Sequence, residues 1–245
     1  MHDWLVPDWP VPAGVRAVCT TRAGGASLGA FGGLNLGGHV GDEPAFVAAN
    51  RAQLQASIGV RPVFLQQVHG TEVLPIDATT PDGAVADACT TVGEGVACTI
   101  MVADCLPVLF TDRDGRRVAA AHAGWRGLAA GVLERTAGVF GDARPMAWLG
   151  PCIGPTAFEV GDEVRAAFVA QAAEADACFR PGPAPGKWWA DLSGLARQRL
   201  RAAGVEAMYG NDGSDAWCTV RNPLRFFSHR RDGVSGRFAA AIWRG

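Results

Sequence analysis

The chain has 245 residues, of which 49% are hydrophobic and 19% charged, with a formal net charge of −2. That apolar share can form a sizeable core and excludes a disordered chain. The near-neutral charge excludes a broad basic field for a nucleic-acid backbone, leaving only a small local cluster at Arg225, Arg230 and Arg231.

Seven cysteines stand at positions 19, 89, 98, 105, 152, 178 and 218, an odd number without C-x-x-C spacing. This usage predicts reduced thiols in the cytoplasm rather than a disulfide framework. The first residues, Met1 to Pro7, lack a basic stretch followed by an apolar one, so no signal peptide is expected. The longest apolar run, Val96 to Phe110, is interrupted by Thr99 and Asp104 and is too short to span a bilayer. The expectation is a soluble cytoplasmic protein with neither a membrane nor a nucleic-acid partner.

Val15 to Thr21 reads as a strand from its β-branched content. It runs into a Gly-rich stretch, Gly24 to Gly38, that reads as a long loop and lacks the G-x-G-x-x-G dinucleotide fingerprint. Asp42 to Ile58 predicts a helix that buries Phe46, Leu54 and Ile58. Pro62 to Val68 and Glu72 to Ile76 read as strands joined at His69-Gly70-Thr71. Asp87, Thr90 and Thr91 read as an N-cap or turn before the central strand.

Val96 to Val102 is a continuous apolar run, the pattern of a strand buried on both faces, and Leu106 to Thr111 continues it. Asp112-Arg113-Asp114-Gly115 predicts a turn before a strand over Val118 to Ala121. Gly127 to Phe140 predicts a helix and Met146 to Leu149 a short strand. Further helices are expected over Val160 to Ala175 and Leu192 to Ala203, with a proline-rich loop, Arg180 to Gly186, between them. Phe238 to Trp243 closes the chain as a strand. No repeat or composition shift marks a boundary, so the pattern predicts one mixed α/β or α+β domain over residues 1–245.

Three separated segments carry the chemistry: Gln67-Val68-His69-Gly70, Ala103-Asp104-Cys105-Leu106-Pro107 and His122-Ala123-Gly124-Trp125-Arg126-Gly127. Each sets an imidazole or a thiol at the edge of an apolar run. Two histidines and a cysteine can hold a zinc ion with one coordination position open. The separations of 36 and 17 residues are not those of zinc fingers or ribbons, so convergence depends on three strand ends sharing one rim. The competing chemistry is a nucleophilic Cys105 with His69 or His122 as its base. The residues alone leave both open.

Asp104, a carboxylate in an apolar run, needs a partner and could orient a histidine or carry a proton. Trp125 and Arg126 offer a stacking face and a fixed cation. His229 and Arg230 are candidates for an anion or sugar contact, with Asn35 and Arg51 as weaker ones.

Read together, the chain resembles the laccase-domain family, also called YfiH-type or multicopper polyphenol oxidase-like proteins. The resemblance runs through Thr20-Thr21-Arg22-Ala23-Gly24-Gly25, Leu34-Asn35-Leu36-Gly37, His39-Val40-Gly41-Asp42 and Asn50-Arg51. It continues through the three segments above, then Leu149-Gly150-Pro151, Phe158-Glu159-Val160-Gly161, Asp191-Leu192, Cys218-Thr219 and Phe227-Ser228-His229-Arg230-Arg231. Val220 and the Ser228-His229 pair depart from the family's usual pattern.

The resemblance implies a single-domain, four-layer α/β/β/α sandwich with zinc on His69, Cys105 and His122 in an exposed pocket. It implies phosphorolysis of adenosine, inosine and methylthioadenosine, and deamination of adenosine, by a monomer whose partners are purine nucleosides and phosphate. Asp104, Cys105 and Arg126 would be catalytic, and Asn35, Arg51, Trp125, His229 and Arg230 would bind substrate. Arg51, Arg126 or Arg230 would hold the phosphate. An alternative is a Cys–His hydrolase or amidase editing peptidoglycan precursors.

The name laccase fails a ligand count. A trinuclear copper cluster needs paired H-x-H motifs, whereas this chain has five histidines, one of them the near-terminal His2, and no H-x-H. One mononuclear site is expected, and its ligand set accepts copper as well as zinc.

Overall fold

In the computed structural model, which describes residues 3–245, the long apolar run becomes two strands in two different sheets. Met1 and His2 lie outside the described residues. The chain order begins β1 (Val15–Cys19), α1 (Pro44–Ile58), β2 (Arg61–Phe64), β3 (Val73–Pro75) and β4 (Ala88–Thr91). It continues through β5 (Val96–Val102), β6 (Leu106–Thr111), β7 (Val118–Ala123), α2 (Trp125–Ala130), α3 (Val132–Gly138) and β8 (Met146–Leu149). After β9 (Glu159–Gly161) come α4 (Asp162–Val169), β10 (Phe179–Pro181), β11 (Lys187–Ala190) and α5 (Leu192–Ala202). β12 (Met208–Gly210), the short α6 (His229–Asp232) and β13 (Phe238–Arg244) complete the fold.

A four-stranded sheet has the order β1-β13-β5-β2, antiparallel except for the parallel β2–β5 pair. A six-stranded sheet has the order β12-β8-β6-β7-β4-β3, antiparallel at its centre and parallel at both edges. A small sheet, β10-β11-β9, lies beside them in sequence.

The period of two explains how the sheets stack. On β5, Val96, Cys98, Ile100 and Val102 share a core with Leu109, Val118, Ala120 and Trp148 of the other sheet. The alternate residue Met101 packs outward with Phe64, Ala239 and Leu54 of α1. On the far side, Leu106, Val108, Phe110, Ala119 and Ala121 pack against Leu128, Val132, Leu133 and Leu195 of the helices. The layers are therefore helix, sheet, sheet and helix, which is why β5 and β6 are buried on both faces. Each fully buried Leu or Phe here contributes roughly 1.5–3 kcal/mol relative to exposure.

The Asp112 turn forms as expected: its carboxylate accepts the backbone N–H groups of Asp114, Arg116 and Arg117 at 3.1, 2.9 and 3.0 Å. It fixes the hairpin register that sets Pro107 opposite His122.

Several element boundaries differ from the sequence expectation. The helix expected over Gly127 to Phe140 is two helices, broken at Gly131, whose φ of 99° is left-handed. Val160 lies in β9 opposite Trp188, so the following helix starts at Asp162 and ends at Val169. Part of the proline-rich loop is strand, Arg180 and Pro181 pairing with Trp189 and Trp188.

β2 stops at Phe64, and Gln67 takes over the pairing through its side chain, exchanging two hydrogen bonds with the Met101 backbone at 2.8 and 2.9 Å. Asp42 precedes α1, with Pro44 in the first turn, and the buried face of that helix is Val47, Asn50 and Leu54. Phe46 and Ile58 are only half-buried. The strand expected to end at Ala121 runs on to Ala123 and includes His122. Among the described residues, no helix is long and apolar enough to cross a membrane.

Candidate metal centre and its cavity

Each of the three predicted ligands is placed by a different device. Cys105 follows the crossing from β5 to β6, where Asp104 takes a left-handed φ of 87°. That turn is pinned on three sides. Asp104 accepts the Thr219 hydroxyl and the Arg230 backbone N–H, both at 2.6 Å, and its carbonyl accepts the Ile153 N–H at 2.9 Å.

His122 lies on β7 at the same parity as Val118 and Ala120, which face the core between the sheets. His69, also left-handed at φ 61°, sits in the connection between β2 and β3.

Asp87 joins two of these devices. It is fully buried and accepts the backbone N–H groups of Val68, His69 and Gly70 at 3.1, 2.8 and 2.6 Å. It also accepts from His122 Nδ1 at 2.8 Å, while its own carbonyl accepts the His122 N–H at 2.7 Å. One carboxylate thus holds the His69 loop in its strained conformation and turns Nε2 of His122 toward the other ligands. Burial opposes ionisation of Asp87, but the bonds from His122, Gly70 and Val68 outweigh it and hold its pKa below the usual range. The sequence reading made Asp87 an N-cap or turn. Nothing local distinguishes it, because its partners lie 17 to 35 residues away.

The ligand atoms of His69, Cys105 and His122 lie within 4.8 Å of one another, with Cys105 Sγ 3.6 Å from His69 Nε2. Among the described residues they form the one such group of His, Cys, Asp or Glu. Gly124 makes room for them. A Cβ there would stand 2.5 Å from His69 Cδ2 and 2.9 Å from Cys105 Sγ.

Burial of Cys105 works against its thiolate, but His122 and His69 more than compensate and bring its pKa down to about 6. Burial also disfavours charged His122, yet the Cys105 thiolate and Asp87 raise its pKa to about 9. Two imidazoles converging on a ready thiolate, one oriented by a carboxylate, fit a metal ion of the zinc or copper type with a position left open.

The cluster opens into a cavity of about 380 Å³, within the range of small-molecule sites. Trp125, Ile153, Phe158 and Leu192 line it from the helical side of the six-stranded sheet. His39, Gln67, Met101 and Arg237 line it alongside Asp104, His229 and Arg230.

The structure thus brings Asp104, Trp125, His229 and Arg230 to the cavity. It does not bring in Asn35, Arg51 or Arg126. Asn35 is fully buried and bonds Gly37 and Asp42. Arg51 donates Nε to the Leu36 carbonyl and lies 4.0 Å from the Phe64 ring centroid. Arg126 is exposed, with its guanidinium 4.5 Å from the Trp125 centroid. Asp104 orients neither histidine. That task falls to Asp87.

Fold and cluster together define a mixed α/β protein with a His–Cys–His cluster able to hold one metal ion at the floor of a cavity. A family model described as multi-copper polyphenol oxidoreductase laccase matches residues 16–245, and the chain belongs to that family.

It is 54% identical over 247 residues to a Pseudomonas aeruginosa protein named purine nucleoside phosphorylase, covering 99% of both chains. It is 50% identical over 248 residues to the purine nucleoside phosphorylase YfiH of Escherichia coli K12, again covering 99% of both. Among solved structures, a Neisseria meningitidis protein superposes with a TM-score of 0.92 at 47% identity over 99% of both chains. YlmD from Geobacillus stearothermophilus does so with a TM-score of 0.89 at 32% identity, covering 98% and 96%.

Proposed function

We propose that the chain acts as one catalytic unit, a zinc-dependent purine nucleoside phosphorylase taking adenosine, inosine and methylthioadenosine, with adenosine deamination as a second activity. The observation that carries this reading is one cavity in which the His–Cys–His cluster, two aromatic residues and two arginines meet. The names of the relatives give the reaction class. A bound zinc ion would supply Lewis-acid polarisation and an acidified water at the open position. His69, Cys105 and His122 would hold it.

The remaining work falls to protein groups. Trp125 and Phe158 present faces against which a purine can lie, and the Arg230 guanidinium stands 5.5 Å from the Phe158 centroid, with Nη1 donating to the Glu159 carbonyl. In phosphorolysis a phosphate oxygen bonds to ribose C1′ as the bond from C1′ to the purine nitrogen breaks. The purine leaves with the electron pair and takes up a proton. In deamination a water oxygen adds at C6 and ammonia departs. Asp104 faces the cavity with each carboxylate oxygen accepting one hydrogen bond, which leaves each a lone pair with which to take a proton.

The test is product analysis with adenosine. Adenine is expected only when phosphate is present, and inosine in its absence. Failure to form either product sinks the reading and favours a Cys–His hydrolase or amidase acting on peptidoglycan precursors. The specific observation behind that alternative is the paired thiol and imidazole, whose pKa values have moved to about 6 and about 9.

A further inference from the structure

The two walls of the cavity come from different halves of the fold. The apolar wall belongs to the six-stranded sheet and its helices. A second part of the lining belongs to the four-stranded sheet, where Met101 lies on β5 and Arg237 immediately precedes β13. His39 joins it from the end of the Gly-rich loop.

This second wall is built, not incidental. The buried Asn35 Oδ1 accepts two backbone N–H groups, from Gly37 at 2.9 Å and from Arg237 at 2.8 Å. The Leu36 N–H adds a third link, to the Arg237 carbonyl at 2.9 Å. Loop and strand are therefore locked together just where they reach the cavity. The Arg237 stem lies across Gly37 so closely that a Cβ on Gly37 would stand 2.7 Å from its Cγ.

Arg237 Nη1 is tethered by the carbonyls of Ser235 and Gly236 at 2.7 and 3.1 Å. Its Nε and Nη2 have no hydrogen-bond partner among the described residues, and neither does the His39 ring. Arg230 differs, because its guanidinium is drawn to Glu159 and to the Phe158 ring on the apolar side.

We propose that Arg237 and His39 form the oxyanion subsite of the cavity, taking inorganic phosphate opposite the purine wall, with Asn35 as the residue that positions Arg237. The identity of the oxyanion rests on the phosphorylase reading. A guanidinium fork presents paired N–H donors to two phosphate oxygens, and an imidazole adds a third donor. The phosphate would then approach a nucleoside from the wall facing its base, the arrangement an in-line displacement at C1′ needs.

Two measurements on the metal-loaded protein test this. Direct binding of inorganic phosphate without nucleoside, followed by ³¹P NMR titration, should saturate. It should weaken about tenfold or more in Arg237→Gln and by less in His39→Asn, as loss of a charge-assisted bond predicts. In steady-state phosphorolysis, both substitutions should raise the KM for phosphate and leave that for nucleoside nearly unchanged. Arg230→Gln should do the reverse. Arg237→Lys should recover part of the phosphate affinity, which a merely structural arginine would not require.

If phosphorolysis proceeds while Arg237→Gln and His39→Asn leave both the phosphate KM and the binding curve unchanged, the subsite is overturned and the phosphorylase reading stands. If phosphate binds, weakens in these variants and no phosphorolysis occurs, the subsite stands and the reading falls. No saturable phosphate binding by the unsubstituted protein overturns the subsite outright. Displacement of inorganic phosphate by adenosine 5′-phosphate that is tighter than by adenosine and weakens in Arg237→Gln would assign the subsite to a nucleotide phosphate and overturn inorganic phosphate as its occupant.

Discussion

The two sheets contribute to the cavity in different ways. The six-stranded sheet presents His122 from β7 and Cys105 from the bend just before β6, in a hairpin where Leu106 pairs with Ala123 and Pro107 with His122. The four-stranded sheet presents Arg237 from a strand start, on a long side chain anchored at its base. Metal ligands must be placed to within a few tenths of an ångström, which favours short side chains on backbone held by hydrogen bonds, here the strand of His122 and the turns of His69 and Cys105 pinned through Asp87 and Asp104. A charged ligand in a cavity tolerates a longer reach, so a loop and a strand end suffice.

The hardest test of this division is to delete a ligand. Cys105→Ala and His122→Ala should each take zinc, by elemental analysis of chelator-free protein, from about one ion per chain to a small fraction of that. Arg237→Gln on the other wall should keep the full complement. Zinc retained in full by both ligand variants would dissolve the distinction between the walls.

A smaller effect is expected one step out from the ligands. Asp87→Ala should weaken metal affinity about 10- to 100-fold, the usual consequence of losing the carboxylate behind a ligating histidine. Because Asp87 also holds the Val68–Gly70 backbone, its thermal stability should fall as well. Asp87→Asn should lower both as well, since its single amide oxygen replaces only one of the two accepting oxygens and its NH2 group would face the N–H donors that met the other. Metal titration with a competing chelator measures the first effect and thermal unfolding the second.

The smallest effect concerns protonation. In metal-free protein, alkylation of Cys105 should follow its thiolate, rising as pH passes through about 6 instead of near 9. His122→Ala removes the main group lowering that pKa, so the same rise should move to higher pH. Peptide mapping after iodoacetamide treatment at a series of pH values reads this directly. Cys19, Cys98 and Cys152 provide internal controls, since burial pushes their thiols up and they should remain unlabelled in the native protein.

Much of the fold was legible in local pattern. The buried strands at Val96–Val102 and Leu106–Thr111, the Asp112 turn and the closing strand all stand where apolar runs and turn residues put them. Errors fell where one residue overrides a pattern, as Gly131 does in splitting a helix and Gln67 in replacing a strand by its own amide. The three candidate ligands were legible too, because imidazoles and thiols beside glycine or polar residues at the edges of apolar runs are few. Asp87, Arg237 and the locking role of Asn35 were not, since each acts on groups distant in sequence.

By itself, then, the sequence determined which side chains could bind a metal, and a count of its histidines limited it to one mononuclear centre. It also determined, through continuous apolar runs, that the strand over Val96–Val102, continued by Leu106–Thr111, would be buried on both faces. Only the tertiary structure decided that the three candidate ligands meet, that Asp87 instead of Asp104 holds the two histidines, and that Arg237 joins the cavity lining. The reason is physical. Ligand identity is a property of single residues, whereas convergence depends on sheet register and on hydrogen bonds between segments up to 202 residues apart.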